Sequence, residues 1–565
     1  MGQPARGRGG AGCGVACEAG AVVEMAAFEA SGIRTAEARA RGAGPSDALM
    51  QRAAAGLAVA CIRVLRERAG GVAGRRVVVL AGSGDNGGDG LLAGVRLCAR
   101  GVAVTAVLVG TSAYQPGLAA LRSAGGLVVD LGAAVAAADS SPAPGGPESE
   151  GPDSLWGTGV GAAAVRAVTE ADLVMDAVVG LRGAPGLAPW LVELLAQVRG
   201  DAAVLAVDLP SGVDPASGEA RLPHVRADVT VAFGTYKACH LVPPAAHAMG
   251  RLELVDVGIT PDLEATGAQP VVQRLGAADV AALWPQPRRT DHKYSRGVLG
   301  VVAGSQTYPG AAVMTCTGAI RAGAAIVKYT GPASAAAQII AARPEVEPRP
   351  GRVNAYVIGP GVLDDPSQDA AMEAALDSGL PVVADAGGLH ACVVARRDGR
   401  RAAAADRVLL TPHAGELSRL LALVGHDVPR EEVEASPWRH ARTLARAIDA
   451  TVLIKGPTTL VVPPHGPAFS QAEGTPWMAA GGSGDVLAGM CGALLATGVP
   501  APLAGALAAT VHGRAGTGVS AGGPVAPADL ADAVPAVLAG LLTAEPSPAP
   551  SRRGVGGRAV RRRRR

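Results

Sequence analysis

Val77-Val78-Val79-Leu80-Ala81-Gly82-Ser83-Gly84-Asp85-Asn86-Gly87-Gly88-Asp89-Gly90-Leu91-Leu92 decides the fold. Its apolar run, Val77 to Leu80, suits a buried strand, and the segment Leu91–Arg100 suits a helix. Glycine lets the backbone between them reach left-handed angles and approach a ligand. A helix start adds unpaired N–H groups and a positive dipole end. Gly82, Gly84 and Gly87 have the G-x-G-x-x-G spacing, but the stretch does not fit the dinucleotide pattern cleanly. Asp85, Asn86 and Asp89 add oxygens that a loop built for phosphate would avoid, because carboxylates repel phosphate. Such oxygens suit sugar hydroxyls or a hard cation.

Outward from this unit the same alternation continues. Val102–Val109, Leu173–Val179, Val204–Val207, Val229–Phe233 and Leu252–Val257 read as strands. Ser46–Arg66, capped by Ser46, and Trp190–Val198 read as helices. Strands alternating with helices predict an α/β fold, a parallel sheet covered on both faces. Ala133–Pro152 reads as a loop insertion, and Thr260–Gln273 as a linker. A second α/β pattern follows, with strands at Val298–Val302, Ala355–Ile358, Val382–Ala384, Val408–Leu410, Val452–Ile454 and Leu460–Val462. The expected organisation is a leader at 1–20, a Rossmann-like three-layer domain at 21–260, a linker at 261–274, a second α/β domain at 275–543 and an Arg-rich disordered tail at 544–565.

Composition narrows the function. At 49% hydrophobic and 2% aromatic, the core must be built from Ala, Val and Leu. A net charge of +2 gives no general pull toward nucleic acid, and the tail is read as solvated. Eight scattered Cys without a CxxC pair suit a reducing cytoplasm. No uninterrupted apolar span of membrane length and no secretory h-region are read, so no membrane is expected. Rare residues stand out: of 51 basic residues only Lys237, Lys293, Lys328 and Lys455 are Lys, and Asn86 and Asn354 are the two Asn.

Ligands of open α/β sheets bind beyond the carboxyl ends of strands. Asn86, Asp176, Asp208 and Ser211 all fall at such ends, so they are expected to converge. In the second half Ala480-Gly481-Gly482-Ser483-Gly484-Asp485 opens a helix. Its N–H groups can hold charge that develops on a transferring phosphoryl group, and Asp485 can take a hydroxyl proton.

The stretches GSGDNGGDG, DAVVG, VDLPSGVDPASG and ADVTVAFGTYK resemble NAD(P)H-hydrate epimerases over Val22–Gly258. The resemblance implies that Asp85, Asn86, Gly87, Gly88, Asp89 and Asp208 hold the hydrated nucleotide, with Asp208 catalytic. It implies a K⁺ ion on Asn86, Asp176 and Ser211. Two departures stand out: Asp85-Asn86 replaces the usual Asn pair, and Leu181-Arg182-Gly183 replaces Thr-Gly-Leu, with Arg182 a substitute phosphate ligand.

TPHAGE, KGPTT and GGSGDVLAG in 290–540 resemble the ribokinase-like ADP-dependent NAD(P)H-hydrate dehydratases. That resemblance implies phosphorylation of the hydrate's ring hydroxyl by ADP, loss of phosphate, and help from Mg²⁺. It places the hydrate on Ala311, Gly361, His413 and Asp485, and the nucleotide on Lys455, Gly456, Pro457, Thr458, Thr459 and Gly484, with Asp485 the catalytic base. Asp385-Ala386-Gly387-Gly388-Leu389 departs from the family's D-A-D-A-L. The expected protein is a bifunctional repair enzyme whose partners are NAD(P)H hydrate and ADP, assembled as a homo-oligomer. Two alternatives stay open: a small-molecule kinase of the hydroxymethylpyrimidine kinase type with a fused regulatory domain, and a first half reduced to a binding module, as in RNA-decapping scaffolds of similar fold.

Overall fold

The computed structural model describes residues 23–543, apart from 44, 46, 140–155, 157–158, 182, 364 and 401–402. The expected leader and tail, Ser46 and Arg182 therefore lie outside the described residues, as does most of the expected insertion. Its described start is a helix, Leu131–Asp139, rather than a loop. A run of Ala forms helix readily.

The first half builds a seven-stranded parallel sheet. From one edge to the other its strands are Leu127–Asp130, Ala103–Leu108, Arg76–Ala81, Leu173–Ala177, Ala203–Val207, Val229–Phe233 and Arg251–Val255. Leu57, Leu91 and Leu121 cover one face, and Ala164, Leu191 and Leu194 the other, which gives three layers. The chain leaves Arg76–Ala81 toward one edge and returns to its other side at Leu173–Ala177. The crevice between those two strands is the switch point where a ligand site is expected. The glycine stretch enters it differently from the sequence reading, because Asp85–Gly90 are already the first turns of a helix, Asp85–Cys98.

Helix Ala48–Ala69 is long and apolar enough to cross a membrane by composition, contrary to the expectation of no such span. Leu57, Cys61, Val64 and Leu65 along it are buried in the core of this sheet.

The second half builds parallel strands Ile326–Thr330, Val298–Val302, Ala355–Ile358, Val382–Ala384, Val408–Leu410 and Thr451–Ile454, in that spatial order. Thr459–Val462 and Ala468–Gln471 continue it as an antiparallel meander. Helices cover both faces around two Ala-, Val- and Leu-rich cores.

The sheet does not stop there. Val272–Arg274, Met25–Phe28 and Tyr236–Lys237 extend it to eleven strands. The stretch read as a linker is thus structured: it holds helix Thr260–Ala265 and strand Val272–Arg274, whose Val272 is fully buried. Side chains reinforce the seam. Arg274 Nε donates to the Ser470 carbonyl at 2.8 Å, and Ser436 Oγ donates to Glu219 Oε1 at 2.5 Å.

Candidate functional site

Two centres form, one at each switch point. In the first, Asp176 ends its strand fully buried. Its carboxylate accepts from Ser211 N and Ser211 Oγ, both at 2.7 Å, and from Val178 N at 3.4 Å. These donors are neutral, and burial raises its pKa. Asn86 Nδ2 donates to the Val207 and Val179 carbonyls at 2.6 and 3.0 Å, which spends its hydrogens and leaves Oδ1 to accept. Of the sequence-expected trio, Asp176 and Ser211 are bonded to each other, and Asn86 is tied to the backbone just after Asp176 and just before Asp208. A desolvated carboxylate beside uncharged oxygens is a donor set that fits a monovalent cation.

Asp208 lies one strand over, 4% exposed, with φ at +68°. A non-glycine residue in that region is strained, and such strain persists only where surroundings enforce it. They do so here. His240 Nε2 donates to the Asp208 carbonyl at 2.7 Å while His240 Nδ1 accepts from Lys237 N at 3.0 Å. Burial and then Lys237 push His240 down to about 4, so it stays neutral. Lys237 Nζ donates to Asp208 Oδ1 at 2.5 Å and to the Phe233 carbonyl at 3.1 Å. This buried ion pair was missed as a site element, although Lys237 was already conspicuous as one of four Lys. The His240 cap had no sequence signal.

The other expected contacts divide. Asp89 is buried with Oδ1 unpartnered, and burial, then Asp208, Asp85 and Glu37, raise its pKa well above the carboxylate range. Asp85 is exposed and pairs with Arg41 at 3.1 Å. Gly87 packs inward: a Cβ there would lie 2.1 Å from the Gly82 carbonyl oxygen, so the close turn requires a glycine here.

In the second centre Gly482, at φ +101°, turns the chain into helix Ser483–Ala496. His512, neutral because burial pushes it to about 4, donates from Nε2 to the Ser483 carbonyl at 3.0 Å and fixes that start. Asp485 sits in the first turn, its pKa raised to about 7 by burial and then by Asp385, against the pull of Lys455. Lys455 Nζ donates to Asp385 Oδ1 at 2.7 Å and lies 3.9 Å from Glu416. Thr411 Oγ1 donates to the same Asp385 oxygen at 2.8 Å. Asp385 therefore anchors Lys455, with Glu416 the next acid at 3.9 Å, although the second Asp of D-A-D-A-L is Gly387 here. A Cβ at Gly484 would lie 3.3 Å from Lys455 Nζ, so the expected pair is adjacent.

His413 caps helix Ala414–Leu423, its Nδ1 accepting from Gly415 N and Glu416 N. That leaves Nε2 as the donor, on a half-exposed side chain. Ala311 and Gly361 meet at the second switch point, beside Gly304, whose N–H donates to the Pro360 carbonyl at 2.7 Å. The 455–459 loop is only partly gathered. Thr459 begins a strand and pairs with Gln471, and Thr458 Oγ1 contacts His247 of the first half instead of Asp485 or Lys455. Gly456 and Pro457 are exposed.

Among the described residues no three His, Cys, Asp or Glu side chains gather as a metal cluster. Two cavities of about 750 and 870 Å³ lie elsewhere, at Val59–Leu254 and at Trp438–Arg442.

A family model described as YjeF-related protein N-terminus matches residues 46–239, and one described as NAD(P)H-hydrate dehydratase matches 299–535. The bifunctional NAD(P)H-hydrate repair enzyme of Mycobacterium tuberculosis is 42% identical over 481 residues, covering 83% of this chain and 88% of its own. That of Mycobacterium leprae is 40% identical over 531 residues, covering 92% and 98%. A solved ADP/ATP-dependent NAD(P)H-hydrate dehydratase from Bacillus subtilis, co-crystallised with ATP and Mg²⁺, is 25% identical and covers 47% of this chain and 97% of its own, at a TM-score of 0.40.

Proposed function

The chain belongs to the bifunctional NAD(P)H-hydrate repair enzymes, and from that premise we propose that residues 21–260 interconvert the R and S hydrates while 275–543 dehydrate the S form at the expense of ADP. The observation that supports this most is Asp485: a carboxylate poised near neutrality in the first turn of a helix, beside Lys455.

In the dehydratase, the hydrate lies over Ala311 and Gly361 with His413 Nε2 donating to it. Asp485 takes the ring-hydroxyl proton as that oxygen attacks the β-phosphorus of ADP. AMP leaves, and Lys455 and the N–H groups of the Gly484 turn hold the transferring charge. The ring carbon–oxygen bond of the phosphate ester then breaks, phosphate leaves, the adjacent ring carbon loses a proton to solvent, and the double bond of the reduced nicotinamide is restored. Mg²⁺ bound to the ADP phosphates would supply charge neutralisation there, beside Lys455 and the Gly484 turn.

In the epimerase, the Asp208–Lys237 pair supplies a proton to the departing ring hydroxyl and recovers one when water adds to the other face. Asn86, Asp176 and Ser211 would hold K⁺, which offsets the buried carboxylate and supports the substrate's phosphates. Asp89, Asn86 and the helix start at Asp85 bind sugar and phosphate. The kinase alternative loses support because the second half matches the NAD(P)H-hydrate dehydratase model and the relatives similar over both halves are repair enzymes; the retained Asn86, Asp176, Asp208 and Ser211 count against the binding-module reading. We place the enzyme in the cytoplasm as a homo-oligomer.

The deciding test incubates the protein with mixed hydrate epimers and ADP and follows nicotinamide absorbance. Complete recovery of both epimers is expected. Recovery of the S fraction alone would remove the epimerase, and no recovery with ADP or ATP would remove the dehydratase.

A further inference from the structure

The loop assigned to the nucleotide is fastened at both ends by its own half. Lys455 N donates to the Pro412 carbonyl at 2.8 Å, and Thr459 pairs with Gln471 in the sheet. Between them Gly456 and Pro457 are exposed, whereas Thr458 is 5% exposed. The Thr458 hydroxyl meets His247 Nε2 at 3.1 Å, across 211 residues of chain.

The backbone that carries His247 is held firmly, although the residue itself is exposed. It belongs to the turn Ala245–Ala248, and its neighbours Ala245 and Ala248 pack in a small core with Leu209, Val213, Cys239 and Met249. Leu209 directly follows Asp208 of the first centre. Ala245 N also donates to the Gly218 carbonyl at 3.0 Å. Burial, then Arg226 and Arg274, hold the His247 ring below its ordinary pKa, which favours the neutral imidazole.

We infer that the first half supplies a positioning residue to the second half's reaction: His247, through Thr458, holds the tip of the nucleotide loop in its binding conformation. This rests on the assignment of 455–459 to ADP. A loop ordered before its ligand arrives spares the ligand the ordering entropy, so the bond should appear in the affinity for ADP and not in the chemical step.

The test varies ADP at saturating S hydrate in the full-length protein. His247→Ala is expected to raise the KM for ADP about two- to tenfold, the range set by one net hydrogen bond. kcat and the KM for the hydrate should stay within about twofold. Thr458→Val should reproduce the rise, and the double variant should be no worse than either single one. His247→Gln, whose amide can reach the hydroxyl, should recover most of the affinity. Epimer exchange in the same samples reports whether the first half has folded. A raised KM in Thr458→Val with none in His247→Ala would overturn the inference and leave the loop assignment standing. An unchanged KM in both would overturn the loop assignment, and the inference with it. A His247→Ala effect that falls equally on kcat and on exchange would overturn it as general loss of structure.

Discussion

At the scale of single residues, Asp485 carries the sharpest expectation. Asp485→Asn keeps the size and the helix start but cannot accept the hydroxyl proton. Dehydration should fall about 10²- to 10⁴-fold. ADP binding and epimer exchange should survive, as calorimetry and chromatography would show. The active form is the carboxylate, whose pKa is raised to about 7. The rate at saturating substrate should therefore climb as pH rises through about 7; a rate that is flat between pH 5 and 8 would exclude this base. Asp208→Ala should abolish exchange and leave dehydration of the S form. It also strands Lys237, which is 2% exposed, and unpairing a buried charge costs about 3–5 kcal/mol. Adding Lys237→Met should recover part of the melting temperature without restoring exchange.

Residue rarity was a usable signal with a clear limit. Lys455 and Lys237 both enter a centre. Lys328 pairs with Glu347 at 2.5 Å, and Asn354 exchanges bonds with Val298 at a strand start, its Oδ1 accepting from Val298 N and its own N donating to the Val298 carbonyl. Motif residues at strand ends, Asp176, Ser211 and Asp208, were legible because their neighbours are short apolar runs. The caps His240 and His512 were not, since their partners lie on other segments.

At the scale of elements, the ends of three strands meet at Asn86, Asp176 and Ser211. Exchange should weaken, in rate or in affinity, when K⁺ is replaced by a bulky organic cation at fixed ionic strength. Indifference to the replacement would remove the cation from this centre. Helices Pro309–Arg321 and Ser483–Ala496 touch backbone to backbone: a Cβ at Gly489 would lie 2.0 Å from the Thr315 carbonyl oxygen. Gly489→Ala should force the helices apart, at about 1–3 kcal/mol, and displace Asp485 with its helix. A lower melting temperature together with reduced dehydration is the expected readout. The central strands of both sheets were readable because each is a continuous buried apolar run. Ile326–Thr330 escaped because Lys328 interrupts it. Met25–Phe28, Tyr236–Lys237 and Val272–Arg274 escaped because two to four residues carry no period of their own, and only distant partners make them strands.

At the scale of the whole molecule, those short strands join the two halves into one sheet. Val272, fully buried between Met25–Phe28 and Ala468–Gln471, is the place to test this. Val272→Asp buries an unpaired carboxylate at the seam. Both activities should fall together, and the thermal transition should move down as a whole. Loss of one activity with the other intact would mean that the halves stand independently.

The strand Met25–Phe28 also sets a timetable. Its antiparallel partner, Val272–Arg274, leaves the ribosome roughly 240 residues later, which at about 5–20 residues per second is on the order of 12–50 s. Until Tyr236–Lys237 appears the nascent chain carries this strand with neither neighbour, and the first active centre is complete before the strand that ties it to the second can be seated. Synthesis of this enzyme is thus ordered: exchange of the two hydrates becomes possible first, and both dehydration and the joining of the two catalysts wait for the chain's later half.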